Sequence, residues 1–424
     1  MTESMPVRVA VIGGGAAGLM AAIAAAQSGA RVTVLERCDR VGRKLLSTGN
    51  GRCNLTNLRA QVSCYRAVGD PAAAHTLVAH VLSAASPRAV LAAFEALGLL
   101  WREEADGRVF PYSGQASAVL DVLRLGCARL RVDVRCGQAV CAVHRGQAGF
   151  ALTLAGGRTL CADRVIVAAG GKASPQLGSD GSGYALLASF GHKRTPCYPA
   201  LVQLRCARPG PSGQQPLGPL KGLRVQAEAA LLADQALVRA ERGEVLFTAY
   251  GLSGIAAMAL AREAALALAA RREAQVCLAL LPQQDLATRK AMVRNRRTLF
   301  ADEQAGLFAT GVLPRRIGEA LCRAAGIPLD LPCGRLTDAQ ADALGGLLGD
   351  WRFSIDGVQP FDSAQVTAGG IETGDFEPST LESILMPGLF AAGEVLDVDG
   401  DCGGFNLQFA WATGLLAGRA AAIS

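Results

Sequence analysis

The chain has 424 residues, half of them hydrophobic and 18% charged, with a formal net charge of +6. That length is too great for one ordinary domain and suits two or three, while apolar runs continuing between its 50 glycines exclude a disordered chain. A charge of +6 over such a length does not by itself announce a nucleic-acid protein.

In chain order, Arg8–Ile12 reads as a β-branched strand, Gly13–Gly18 as a turn, and Leu19–Ser28 as an Ala-rich helix stopped by Gly29. Arg31–Leu35 is a second strand closed by Glu36. Residues from about Pro71 to Leu130 read as mostly helical. Val132–Arg135, Ala139–His144, Phe150–Leu154 and Arg164–Ala168 then read as an antiparallel meander returning to a parallel strand. Further strands are expected at Leu201–Arg205, Leu223–Leu232 and Glu244–Thr248, with a Pro/Gly-rich loop at Arg208–Pro219. Ile255–Ala270, broken by Arg262 and Glu263, reads as a buried Ala-rich helix and not a membrane span. Residues 283–349 read as helical, Trp351–Ile355 and Gln365–Ala368 as strands, and Asn406–Ile423 as a closing helix. No leader of positive and then apolar residues precedes the first strand.

The 13 cysteines form no C-x-x-C and no cluster with His at metal spacing, so no metal is expected. Most lie in apolar or strand-like stretches, Cys136, Cys141 and Cys161 among them. They are expected as buried free thiols in a reducing cytoplasm.

Four segments carry chemistry. Gly13-Gly14-Gly15-Ala16-Ala17-Gly18 matches G-x-G-x-x-G between a strand and a helix. Gly13 permits the turn, Gly15 admits a pyrophosphate to the backbone, and Gly18 lets helix and strand pack closely. Glu36 ends the second strand, where a carboxylate accepts ribose hydroxyls and repels a 2′-phosphate. Val165–Gly171 is an apolar strand ending in small residues, including Ala168, Ala169 and Gly170, against which a cofactor can lie. Gly388–Glu394, then Gly403-Gly404-Phe405-Asn406, repeat strand, acid and glycines before a helix. Glu394 is placed to hydrogen-bond a ribityl chain, and the start of the Asn406 helix to face a flavin pyrimidine. Gly42–Asn54 is dense in donors: Arg43 and Lys44 suit phosphate, while Asn50, Arg52, Cys53 and Asn54 suit an isoalloxazine face.

Together these segments resemble the HI0933-like (YhiN, BaiN and RdsA) family of flavoproteins over nearly the whole chain. The most specific stretches are Thr48–Asn57, Gly107–Ser113, Gly178–Tyr184, Gly251–Gly254 and Gly403–Trp411. The resemblance implies an α/β fold, with a Rossmann-like FAD-binding domain split into 1–192 and 356–424. It also implies an inserted domain, 193–355, with a β-barrel part (about 193–282 and 350–355) and a helical part (about 283–349). It implies FAD contacts at Gly13, Gly15, Ala16, Glu36, Arg37, Lys44, Ala169, Gly170, Gly393, Glu394, Asn406 and Leu407, with Val140 meeting the adenine through its backbone. Ala17, Gly18, Arg43, Asn54, Ala168, Gly404 and Phe405 complete the expected cofactor site. Departures are Ala249 and Ile255, where the family usually has His and Pro, and Cys402, where it often has Thr.

The family's activities include reduction of a conjugated steroid double bond, oxidation of aminoacetone, and reduction of uracil to dihydrouridine in ribosomal RNA. The first and third share hydride transfer from reduced flavin to a C=C conjugated to a carbonyl, with an acid protonating the α-carbon. Such a reductase, acting on a small enone or on ribosomal RNA, is the reading carried forward. A flavin oxidase of a small amine or aminoketone and a non-catalytic flavin-containing RNA- or protein-binding protein are the alternatives. Cys53 is the first choice of acid, in a loop with Asn50 and Arg52; Tyr112 and Tyr250 are the others. No second G-x-G-x-x-G with a following acid appears, so NADH or NADPH would visit as a transient donor. The Arg289–Arg323 segment holds eight basic and three acidic residues, an excess expected to track RNA phosphates.

Overall fold

The computed structural model describes residues 5–207 and 217–423. Most of the expected Arg208–Pro219 loop therefore lies outside the described residues. The chain divides into two units, with breaks between Tyr198 and Pro199 and between Ala364 and Gln365.

The first unit is built on a five-stranded parallel sheet. Its labelled elements are β1 (Arg8–Ile12), α1 (Ala16–Gln27), β2 (Arg31–Leu35), α2 (Arg43–Ser47), β3 (Asp133–Arg135), β4 (Arg164–Val167), β5 (Leu389–Ala391) and α3 (Phe405–Ala421). The strand order is β5-β4-β1-β2-β3. Strands β1, β4 and β5 are almost wholly buried, as parallel strands covered on both faces must be. The sheet thus joins the two ends of the chain: Val165, Ile166 and Val167 pair with Leu389, Phe390 and Ala391.

Segment Val132–Arg135 differs from expectation. Asp133–Arg135 is not part of the meander but pairs parallel with Thr33–Leu35 at the sheet edge, after the helix Ala116–Arg129 carries the chain back. The antiparallel sheet consists of Val140–Gly146, Gly149–Leu154 and Thr159–Ala162. Its alternation places Cys141 and Cys161 on the outer side, so both thiols are exposed where burial was expected.

Helix α1 is apolar all round and buries Ala17 to Ala25. It packs along α3, where Gly414 and Gly418 let the backbones meet. A Cβ on either would stand 2.5 Å from Ala17 O or 2.3 Å from Ala21 O.

The second unit holds a closed six-stranded barrel: Leu204–Cys206, Gly251–Ser253, Ala236–Phe247, Arg224–Ala233, Ala274–Ala279 and Trp351–Val358, in that order. Alternate residues point inward, and the rings of Phe247, Trp351 and Phe353 pack against one another at tilted and edge-on angles in its core. Because Trp351–Val358 closes the barrel, residues 356–364 belong to this unit. Ile255–Ala270 forms two helices, Ile255–Ala259 and Ala261–Ala269. Helices Leu286–Leu299, Arg315–Ala324 and Asp338–Leu347 complete the unit. The first is capped by Asp285, and the last starts with a capping box of Thr337 and Gln340.

Candidate active site

The turn between β1 and α1 is shaped by close backbone approach. A Cβ on Gly18 would lie 1.9 Å from Gly13 O, and one on Gly13 2.5 Å from Ala168 O. Gly15 differs: nothing lies within 4 Å of the position its Cβ would take. Gly15 is also the N-cap of α1, and no side chain caps that end. An open space thus meets an uncapped helix start, where N–H groups and the positive end of the helix dipole favour an anion. The residues therefore fit the diphosphate of a dinucleotide.

Glu36 is 9% exposed. Its Oε2 accepts from Gly14 N at 2.8 Å and its Oε1 from Cys38 N at 2.7 Å. These bonds fix the carboxylate against the glycine turn. Gln138 N donates to Glu36 O, which lays the segment leading to Val140 beside the same strand end. Arg37 pairs with Asp180. Arg43 donates to Gln176 O and lies near Asp39.

Lys44, on α2, places its Nζ 2.7 Å from Glu394 Oε2. Glu394 Oε1 accepts from Thr367 N at 2.7 Å. Both carboxylate oxygens are thus engaged by the protein, and Glu394 acts first as a tie between distant segments. Ala168 to Gly171 pass alongside: a Cβ on Gly171 would meet the Glu394 carboxyl carbon at 3.2 Å. Gly393 packs on Ala17, and its N–H donates to Thr413 Oγ1 of α3.

The donor-rich loop faces the start of α3. Five of its residues, Gly42, Gly49, Asn50, Gly51 and Cys53, hold positive φ between 56° and 81°. For Asn50 and Cys53 this is stored strain. The loop is tied down at its far end: Trp411 Nε1 donates to Leu55 O, Thr56 Oγ1 to Gln408 Oε1, and Asn57 Nδ2 to Gly403 O. Asn54 Oδ1 is buried without a hydrogen-bond partner, and a Cβ on Gly404 would lie 2.8 Å from it. Such an orphaned acceptor beside a helix start fits a ligand donor. Phe405 packs edge-on against Tyr65 and Leu407 is half-buried, while the Asn406 amide is spent on Gly400 and Asp401.

Cys53 corrects an expectation. Its side chain is fully enclosed, and burial pushes the thiol up to about 12. A thiol sealed from solvent and so weakly acidic does not suit proton delivery to a substrate. Asn50 is exposed, and Arg52 stands over the Phe110 ring at 4.1 Å with Glu104 as its ion partner. Tyr112 and Tyr250 are exposed.

In the basic segment all eight side chains have protein partners. Arg289 donates to Gly345 O and Gln284 O; Lys290 and Arg294 pair with Asp342; Arg297 pairs with Asp338. Arg296 donates to the carbonyls of Phe308 and Thr310, and Arg316 to Pro219 O; Arg315 and Arg323 pair with Glu319. Lys290, Arg294 and Arg297 tie two helices together, while Arg315, Arg323 and Glu319 pair within one. A cleft of about 420 Å³ in the same unit, flanked by Arg224 and Arg242, has both arginines paired, with Glu244 and Glu228. Among the described residues no group of His, Cys, Asp and Glu is arranged to hold a metal, and no single helix is long and apolar enough to cross a membrane.

Parallel sheet, glycine turn, acid at the second strand and return of the chain's far end define a dinucleotide-binding flavoprotein of the oxidoreductase class. The HI0933-like protein Rossmann domain matches residues 7–420, and the chain belongs to that family. It is 40% identical over 417 residues to a 3-dehydro-bile acid delta(4,6)-reductase of Clostridium scindens, covering 98% of this chain and 99% of the relative. It is 31% identical over 412 residues to a ribosomal RNA dihydrouridine synthase of Escherichia coli, covering 95% of each. Among solved structures, a 3-ketosteroid delta1-dehydrogenase from Sterolibacterium denitrificans shares the fold at a TM-score of 0.50 and 14% identity, over 98% of this chain and 99% of that one.

Proposed function

We propose that this FAD-dependent oxidoreductase reduces a carbon–carbon double bond conjugated to a carbonyl in a small enone. The observation that carries the choice of reaction is the 40% identity, across nearly both whole chains, to a relative named as a delta(4,6)-reductase. When bound, FAD supplies a reversible store for a hydride. The chain's own residues do the rest. Gly13 to Gly18, with Ala16 and Ala17 starting α1, take the diphosphate, and Glu36 takes the adenosine ribose with Arg37 beside it. Val140 offers its backbone to the adenine. Lys44, Glu394, Gly393 and Ala168 to Gly170 line the middle of the cofactor, with Arg43 supplying further positive charge. Asn54, Gly404, Phe405, Asn406 and Leu407 hold the end that reacts. Asn50, strained and exposed, donates to the substrate carbonyl and so draws electrons from the double bond.

NADH or NADPH serves as a transient donor in this reading, since no second dinucleotide turn accompanies the first. Thirteen free thiols support a reducing, cytoplasmic setting. A second reading, reduction of uracil in ribosomal RNA, is favoured by the 31% match to the dihydrouridine synthase. Anaerobic reduction of the purified yellow protein by NADH or NADPH tests both. Reoxidation by a 3-keto-4-ene steroid acid supports the first reading and reoxidation by unmodified ribosomal RNA the second. Reoxidation by oxygen alone, with peroxide formed from an amine, would replace both with an oxidase.

A further inference from the structure

Residues 174–181 join the ends of two strands that are not neighbours. The segment follows β4, and its base is buried there. Lys172 N and Ala173 N donate to Thr367 Oγ1 at 2.8 and 2.9 Å, and Ser179 Oγ donates to Gly171 O at 3.0 Å. Its other side reaches the end of β2. A Cβ on Gly178 would lie 2.7 Å from Cys38 Sγ and 4.0 Å from Glu36 Oε1. Asp180 pairs with Arg37, and Arg43 Nη2 donates to Gln176 O at 3.0 Å. In the sheet, β1 lies between β4 and β2. A segment tied to the ends of both flanking strands crosses the end of β1, where the glycine turn and the start of α1 lie. The two attachments differ in kind. Thr367 and Ser179 are buried, whereas the Arg37 and Asp180 side chains are 43% and 33% exposed. Gly178 and Gly181 hold positive φ of 103° and 80° on either side of Asp180, where the backbone turns freely.

We propose that residues 174–181 form a strap over the nucleotide groove, hinged at β4 and latched at β2 by Arg37 and Asp180, which lifts for FAD to enter or leave. The proposal rests on the reading that sets the diphosphate at the glycine turn and the ribose at Glu36. Opening breaks the exposed ion pair and the Arg43 bond and leaves the buried base intact. Both ties join protein to protein, so they resist entry and exit alike. The strap therefore sets the rates of cofactor exchange more than the affinity, and keeps FAD resident through many turnovers. Asp180 is a positioning residue and touches no reacting atom.

The test uses the FAD-loaded full chain, chased with a large excess of 5-deaza-FAD. Asp180→Asn removes the charge, yet asparagine still accepts from Ser182 N as Asp180 Oδ1 does at 3.1 Å, so the turn into the helix Ser182–Ala188 is kept. Release of FAD, read as flavin absorbance lost from the chain, is expected to quicken about fivefold. Association with the FAD-free chain, read by quenching of FAD fluorescence, is expected to quicken by the same factor, which holds Kd within about twofold. Added salt screens the latch and should narrow the gap between wild type and variant. Arg37→Glu combined with Asp180→Arg restores the pair in reverse and should release FAD more slowly than Arg37→Glu alone. Unchanged release in Asp180→Asn overturns the strap. Faster release with unchanged association and a weaker Kd overturns it too, and makes Asp180 a direct cofactor contact. If Gly15→Ala leaves both rates untouched while Asp180→Asn quickens them, the diphosphate reading fails and the strap stands. A chain that takes up no FAD removes both.

Discussion

Lys44 Nζ and Glu394 Oε2 stand 2.7 Å apart although 350 residues separate them in sequence. Each side chain is about three-quarters buried, at 24% and 21% exposure. The pair fastens α2, just beyond the first βαβ unit, to the returning end of the chain, and Thr367 N holds the second carboxylate oxygen. Glu394→Gln keeps the shape but removes the charge that faces Lys44. The expected cost is about 1–3 kcal/mol, read by urea denaturation, together with a lower FAD-to-protein ratio after purification. A Lys44→Met, Glu394→Gln double variant no longer leaves a lysine facing an uncharged partner, and should cost less than the sum of the two single changes. Strict additivity would show that the pair does no joint work.

Two glycines of one turn should behave in opposite ways. Gly18→Ala puts a methyl group 1.9 Å from Gly13 O, and backbone on both sides cannot yield. This variant is expected to fold poorly, with or without FAD. Gly15→Ala points its methyl group into open space at a φ of −85° that alanine accepts. Its stability should stay within about 0.5 kcal/mol of wild type, while FAD content falls sharply. Absorbance at the flavin maximum and thermal denaturation separate the two effects. A Gly15→Ala protein with normal flavin content would move the diphosphate elsewhere.

The limits of sequence reading show in particular residues. Strand, glycine turn and helix at Arg8–Gln27 were legible because the pattern is contiguous, with Gly18 answering to Gly13 within the turn, whereas the contact of Gly13 with Ala168 was not. The barrel strand Arg224–Ala233 was likewise legible, expected at Leu223–Leu232, but its closure into a barrel came only from the family resemblance. The Lys44–Glu394 contact was not, since nothing near either residue announces a partner 350 positions away. For Cys141 and Cys161 the alternation was readable, but which face of the small sheet met solvent was not. Cys53 sat in a polar stretch and yet lies fully enclosed, with positive φ and a hydrogen bond to Thr48.

Thiol burial makes stability fall at alkaline pH. Cys53, Cys206, Cys277 and Cys322 are each pushed up to about 12 from an ordinary 9.0, chiefly by desolvation. Below pH 9 both folded and unfolded chains keep these protons, and stability is unaffected. Between about pH 9 and 12 the unfolded chain releases them while the folded chain does not, so unfolding is favoured as pH rises. Urea midpoints measured from pH 8 to 10.5 should decline, and Cys53→Ala should make the decline shallower. Native-state alkylation should label the exposed Cys141, Cys161 and Cys402 and spare Cys53. Labelling of Cys53 at the rate of Cys402 would contradict its enclosure. Cys53→Ala should also keep kcat within about twofold, because a sealed thiol delivers no proton to a substrate.

The basic helices make the final case. Arg294 and Lys290 converge on Asp342, and Arg297 meets Asp338, both acids lying on a helix 41 to 48 residues further on than the arginines they pair with. Charge counted along Arg289–Arg323 therefore overstates what solvent meets. If these side chains serve packing, Arg294→Gln with Arg297→Gln should lower stability yet change affinity for a ribosomal RNA fragment by less than about twofold. Removing the acids instead, with Asp338→Asn and Asp342→Asn, frees the cations. Non-specific RNA affinity at low salt should then rise several-fold, and its dependence on salt should steepen by roughly 0.7 to 0.9 per phosphate newly contacted. Filter binding across a salt series measures both. A large loss of RNA affinity in the arginine variant, with stability intact, would mean that these cations leave their carboxylates for phosphates, and the segment would count as an RNA contact after all.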